Sequence, residues 1–265
     1  MGLKDLYGEW ALVTGASSGI GRALARAVAA DGQSVILVAD DADGLESAAV
    51  EVRSEGVEAR TCCVDLGSPG FLDDVRAATS GIDVSLLANN ASFGGIGPFL
   101  THPLETYDAM IAVNTRAYVA LTHAYLPQMV EAGRGALIFV SSLNAQAPIA
   151  NSSVYTATKA FDLFFGGALW WELRETGVDV LVLQPGPTRT GFQAKAGTQF
   201  ATWAMEPEEV AAEALAALGT SAFHIAGERN REIAAQGESL PLEQRIAAAS
   251  QLLDDALIRG VEPSL

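Results

Sequence analysis

The chain has 265 residues, 49% of them hydrophobic, a formal net charge of −16 and a pI near 4.5. Such a length and apolar content supply one large core, and the acidity argues against nucleic acid or an anionic membrane surface as a partner. No apolar run approaches the ~20 residues of a membrane helix, and "MGLKDLYGEW" at the start lacks the apolar centre of a signal peptide, so a cytoplasmic location is expected.

Taken in chain order, "WALVTG" (10–15) reads as a buried strand ending in a glycine turn, and "GRALARAVAADG" (21–32) follows with helical spacing and a glycine stop. "SVILVA" (34–39) is the second strand, "DGLESAAVEVRSEG" (43–56) a helix, and "EARTCCVD" (58–65) the third strand. Cys62 and Cys63 lie in that third strand and are adjacent, which rules against a disulfide within the chain and predicts buried free thiols. A helical stretch over about 68–79 precedes "DVSLLANNA" (83–91), a buried strand. One long helix is predicted from about Leu104 to Ala132, then a strand in "GALIFVSS" (135–142). A helix carrying Tyr155 runs to about Thr176 and leads into "VDVLVLQPG" (178–186). A helix over about 206–218, the strand "AFHIAG" (222–227) and an amphipathic tail over 241–260 complete the pattern. The histidines, His102, His123 and His224, are scattered without zinc-like spacing, so no metal site is expected.

Seven short, nearly continuous apolar strands alternating with helices predict an α/β fold: a doubly wound, Rossmann-type, mostly parallel sheet covered on both faces. No composition break divides the alternation, so residues 1–265 read as one domain. Ligands of such a sheet bind beyond the carboxyl ends of the strands. The aperiodic segment 187–205 lies beyond such an end and is the candidate substrate lid.

Between the first strand and first helix, "TGASSGIG" (14–21) places Gly15, Gly19 and Gly21. Glycines let a pyrophosphate approach the backbone, and the helix N-terminus behind them favours negative charge. Asp40 follows Gly21 by nineteen residues, at the end of the second strand, where an acid can accept hydrogen bonds from ribose hydroxyls. "ADDAD" (39–43) offers three aspartates and no base, so NAD is expected over NADP, whose 2′-phosphate would meet like charge. Asp41 and Asp43 also suit the N-terminus of the next helix. Tyr155 and Lys159, four apart, lie on one helix face, an arrangement that by itself reads as a solvated helix face rather than as chemistry.

The G-x-x-x-G-x-G spacing after Thr14 resembles the short-chain dehydrogenase/reductase family. "NNAS" (89–92) resembles its N-N-A-G motif, with Ser92 where glycine is usual; "VNTRAY" (113–118) and "PGPTRT" (185–190) match two more motifs, and the likeness spans about residues 8 to 227. It implies a catalytic tetrad of Ser142, thirteen residues before Tyr155, with Tyr155, Lys159 and Asn114. In it Tyr155 is the general acid/base, Lys159 lowers the phenol's pKa and holds the nicotinamide ribose, Ser142 binds the substrate oxygen, and Asn114 positions a relay water. It further implies that Ser17, Ser18 and Ile20 contact the dinucleotide along with the glycines. Asp65 would receive the adenine amino group with Leu66 beside it, Asn90 and Ala91 would line the nucleotide half, and Pro185, Gly186, Thr188 and Thr190 would close over the cofactor. Ser141 reads as structural.

The expected activity is hydride transfer between NAD(H) and an alcohol or ketone. A non-catalytic dinucleotide-binding regulator and an epimerase or lyase of the wider superfamily are the competing readings. Phe93, Phe192, Phe200, Trp203 and Met205 suggest an apolar substrate, although lid aromatics can simply pack on the protein. Gly166 and Gly167 inside the Tyr155 helix suit either a subunit interface or close packing on the sheet, with Trp170 and Trp171 filling space; a homodimer or homotetramer is expected.

Overall fold

The computed structural model describes residues 2–192 and 201–255. In the first half, α1 (Leu3–Leu6), β1 (Trp10–Thr14), α2 (Gly19–Ala30), β2 (Ser34–Ala39), α3 (Ala42–Ser54), β3 (Ala59–Cys63), α4 (Phe71–Ala78) and β4 (Val84–Asn89) follow in order. The second half holds α5 (Leu104–Ile111), a π-helical segment (Ala112–Arg116), α6 (Ala117–Ala132), β5 (Gly135–Val140), α7 (Ser153–Glu172) and β6 (Val178–Gln184). It ends in α8 (Pro207–Ala217), β7 (Phe223–Ile225), α9 (Glu228–Glu238) and α10 (Leu242–Leu253).

All seven strands pair in parallel, in the order β3-β2-β1-β4-β5-β6-β7. The chain winds outward in both directions from β1 and β4, and the crevice beyond their carboxyl ends is where such a sheet takes its ligand. Side chains alternate across the sheet. Ala11, Val13, Val35 and Leu37 face one core with Leu24, Leu45 and Val210 of α2, α3 and α8. Leu12, Ile36, Leu87 and Phe139 face the other with Val75, Tyr118 and Leu121 of α4 and α6. Burial on both faces is why these strands read as unbroken apolar runs.

Four expectations change. β3 is an edge strand, so Cys62 is buried but Cys63 points outward and is exposed. The predicted helix from Leu104 to Ala132 is interrupted by the π-helical turn at Ala112–Arg116, where Asn114 is drawn into the interior. Trp170 and Trp171 fill no core; they are 40% and 60% exposed. Helix α9 has no counterpart in the sequence pattern, because "ERNREIAAQGE" carries no apolar stripe. Gly166 does pack on the sheet: a Cβ there would lie 2.6 Å from Val182 and 2.9 Å from Phe139. Of the tail predicted over 241–260, α10 is seen, and residues 256–260 lie outside the described residues.

Candidate active site

The ends of β1 and β4 are tied together by one threonine. Thr14 Oγ1 accepts from the amides of Asn90 (2.9 Å) and Ala91 (3.0 Å), and Asn90 Nδ2 donates to the Thr14 carbonyl at 2.7 Å. Gly15 then turns the chain at φ +65°, a conformation that disfavours a side chain, and a Cβ there would press on the Asn90 amide at 2.7 Å. Gly21 has no room for one either, because it would overlap the Gly15 carbonyl. Helix α2 begins at Gly19 with no side-chain cap on its first turn, so its positive end is open toward an anion.

These residues form one end of a cleft of about 630 Å³. Gly15, Ser17, Ser18, Gly19 and Ile20 line that end, with Asp40 beyond them. Asp65, Leu66, Asn90 and Ala91 follow along the wall, and Pro185, Gly186, Thr188 and Thr190 come from the segment after β6. The charged residues among the described walls are Asp40 and Asp65, and neither lysine nor arginine lines them. Asp41 is committed elsewhere: its carboxylate caps α3, accepting from the Gly44 amide at 3.1 Å. Asp65 Oδ1 accepts from the Gly67 amide at 2.7 Å, which shapes the loop after β3. The cradle of glycines, the open helix end and the acid at the end of β2 fit a nicotinamide dinucleotide.

The other end of the cleft holds Ser142 and Tyr155. Ser142 stands just after β5, its Oγ accepting from the Asn144 amide at 3.1 Å. Tyr155 lies in the first turn of α7, and its ring packs on Phe192 with centroids 5.3 Å apart. Gly94 makes room for that pair, since a Cβ there would lie 2.8 Å from Phe192 and 3.0 Å from Tyr155. Burial pushes the Tyr155 phenol up to about 12, a hydrogen bond with Ser142 pulls it down, and the negative charge of Asp162 pushes it up again.

Lys159 and Asn114 sit behind this wall rather than on it. Lys159 is 1% exposed; its Nζ donates to the Val140 carbonyl at 2.8 Å and to Asp162 Oδ2 at 3.1 Å. Burial lowers its pKa while Asp162 supports its charge. The Asn114 side chain clamps the loop after β4: Oδ1 accepts from the Phe93 amide (3.1 Å), and Nδ2 donates to the Phe93 carbonyl (2.9 Å) and Thr158 Oγ1 (3.0 Å). Ser141 Oγ donates to the Lys159 carbonyl at 2.7 Å, fastening α7 to the end of β5. Ile96 and Asn144 line the cleft from the loops 92–99 and 143–151 at the strand ends, which the sequence offers as substrate loops. Sequence reasoning missed Ser152, which also lines it, and Asp162. An acid inside "KAFDLFF" (159–165) was the available signal for the last.

Of the aromatic and thioether side chains expected at the substrate, Phe93 and Phe192 line the cleft. Trp203 packs beneath Arg229, whose guanidinium lies 5.0 Å from the ring, and Met205 packs against Gly227 and Asn230. Phe200 lies outside the described residues, as do residues 193–200 of the segment 187–205 expected to be a lid.

A family model for the short chain dehydrogenases matches residues 9–201. The 7beta-hydroxysteroid dehydrogenase of Collinsella aerofaciens is 35% identical over 242 residues, covering 88% of this chain and 91% of that protein. A solved structure from a study of 7beta-hydroxysteroid dehydrogenase stereoselectivity superposes with a TM-score of 0.86 at 32% identity, covering 94% of this chain and 99% of that one. The short-chain dehydrogenase of Sphingobium yanoikuyae in complex with NADPH gives a TM-score of 0.79 at 32% identity over 91% of this chain and 95% of that one. Similar solved structures hold NADPH, NADP or NADH. A Rossmann-type sheet, a glycine cradle at its switch point and a match over residues 9–201 leave one assignment: the chain belongs to the short-chain dehydrogenase family of nicotinamide-dependent oxidoreductases.

Proposed function

We propose that the protein interconverts a bulky apolar secondary alcohol and its ketone, with NAD(H) as the preferred dinucleotide, Tyr155 as the proton-transferring group and Ser142 as the group that holds the substrate oxygen. The observation that carries this reading is that Ser142 and Tyr155 line one end of a cleft whose other end is the Gly15–Gly21 cradle. The dinucleotide, when bound, supplies the hydride donor or acceptor. Ser142 Oγ offers a hydrogen bond where charge develops on the substrate oxygen. Tyr155 gives the proton to that oxygen in reduction and takes it in oxidation, and Lys159, brought toward the cleft, favours the phenolate. Asn114 serves this arrangement by pinning the loop that carries Phe93.

NAD preference rests on Asp40, which lines the cleft wall where, among the described residues, no lysine or arginine stands to receive a 2′-phosphate. Relatives named as hydroxysteroid dehydrogenases, and the aromatic wall of Phe93 and Phe192, support a bulky, apolar, hydroxysteroid-like substrate. The exposed Phe164 (77%) and Trp171 (60%) on α7 support self-association through that helix. No helix among the described residues is long and apolar enough to cross a membrane, and a cytoplasmic location is part of the same reading. The test is dinucleotide absorbance with a panel of hydroxysteroids and smaller hydrophobic alcohols, each offered with NAD and with NADP. Turnover of the large secondary alcohols with NAD is expected. Dinucleotide binding without any net change in absorbance across the panel would refute the proposal in favour of a non-catalytic binding protein.

A further inference from the structure

Helix α7 places an acid where the sheet asks for an apolar residue. Asp162 is fully buried, one turn beyond Lys159, and its Oδ2 lies 3.1 Å from the Lys159 ammonium. Its Oδ1 has no hydrogen-bond partner among the described residues. A buried carboxylate oxygen left unpaired is unfavourable by about 1–3 kcal/mol or more, and a residue present only to pack would be apolar. The lysine explains it. The ammonium is held on the inner side of the helix by Asp162 and the Val140 carbonyl, with the Tyr118 ring centroid 5.4 Å away. Ser142 and Tyr155 line the cleft, and Lys159 does not.

The titratable groups that act on this pair are few. Tyr155 comes from α7 itself and Tyr118 from α6, and the charge of Asp162 pushes both phenols up. Strand β5 brings none, and the acid of β6, Asp179, accepts a hydrogen bond from Tyr7 at 2.8 Å. Asp162 is therefore the one carboxylate among the described groups paired with Lys159.

We propose that Asp162 is a positioning residue that acts through Lys159: it seats the ammonium inward when no dinucleotide is bound, and the lysine reaches the cleft only by breaking that ion pair. The inference rests on the reading of Lys159 as the partner of the dinucleotide ribose and of Tyr155. Two consequences follow from charge. The seat opposes dinucleotide binding, and it lifts the Tyr155 phenol by withholding a cation and adding an anion. Burial raises the Asp162 carboxyl to about 7 although Lys159 pulls it down, so the seat is weak below that pH and full above it.

The test is dinucleotide titration by fluorescence on the full chain and its Asp162→Asn, Asp162→Val and Lys159→Ala variants, at about pH 6 and about pH 8.5, on either side of the carboxyl's titration. In the native protein Kd is expected to rise by about tenfold between the two, the order of one charge-assisted hydrogen bond. Asp162→Asn, which keeps the shape, should flatten that rise and bind about tenfold more tightly at the higher pH. Asp162→Val should do the same, and if it fails to fold the asparagine variant decides alone. A second readout needs no dinucleotide: near-ultraviolet titration of tyrosine ionisation, with Tyr155→Phe as the blank, should move the Tyr155 transition to lower pH in Asp162→Asn. Unchanged or weaker dinucleotide binding in Asp162→Asn, where Lys159→Ala does weaken it, overturns the seat alone. An unchanged Kd in Lys159→Ala overturns the reading of Lys159, and the seat with it.

Discussion

Replacing Tyr155 by phenylalanine separates chemistry from folding, because the two effects differ in size. The phenol is pushed up to about 12, so it is protonated at neutral pH and its loss removes no charge. What disappears from the fold is at most one neutral hydrogen bond, worth about 1 kcal/mol net. In a domain of this size that is a fall in Tm of roughly 2–4 °C. The Phe192 contact survives, since the ring remains. On the reaction, loss of the acid/base group alone lowers the rate by about 10²–10⁴, equivalent to about 3–5 kcal/mol of barrier. The assay is kcat/KM by dinucleotide absorbance with an accepted substrate, alongside a melting curve and a dinucleotide titration on the same preparation. A melting curve and a dinucleotide Kd close to native, with turnover reduced at least a hundredfold, are expected. Residual activity within tenfold of native would mean that another group moves the proton.

Asp40→Arg should shift the ratio of kcat/KM for NAD over NADP by at least about tenfold toward NADP, the order of one charge-assisted bond to phosphate; an unchanged ratio means that Asp40 does not read the ribose. Gly15→Ala forces a side chain onto φ +65° and into the Asn90 amide, so stability should fall by more than the roughly 1–2 kcal/mol of left-handed strain, and dinucleotide affinity should fall with it; a native Kd would remove Gly15 from the cradle. The Asp162 carboxyl rises from 3.8 to about 7 on folding, so the folded chain binds more protons in that window. Its contribution to stability is full below about pH 4 and is lost as pH rises through 7. Melting curves of Asp162→Asn should lack that part of the decline, and an identical pH profile would refute the assignment.

Most of the sheet was legible because its strands are buried on both faces, which leaves runs such as "SVILVA" that match β2 residue for residue. Motifs that need glycine for steric reasons were legible for the same kind of reason: Gly15 and Gly21 each stand where a Cβ meets backbone or the Asn90 amide. Single-residue geometry was not. The π-helical turn at Ala112–Arg116 leaves the apolar period of the long helix nearly intact, so periodicity read straight through it. Cys63 was assigned by strand composition, whereas its exposure depends on β3 lying at the edge of the sheet. The inward turn of Lys159 depends on which of two partners a flexible side chain takes, and spacing from Tyr155 carries no information about that.

The two directions of the reaction ask opposite things of one phenol, and the surroundings of Tyr155 answer one of them. Under the proposed function, reduction of a ketone needs a proton on Tyr155, and oxidation of an alcohol needs it gone. Burial and the charge of Asp162 both favour the protonated phenol, and the hydrogen bond with Ser142 does not outweigh them. The cation that opposes this is Lys159, and it is turned inward. With Lys159 paired to Asp162, the phenol is set to donate. Setting it to accept requires a positive charge nearer the phenol, and the lysine can supply one only by leaving Asp162. On the proposed reading, proton affinity at Tyr155 and the position of Lys159 are one variable, governed by a buried carboxylate that does not line the cleft.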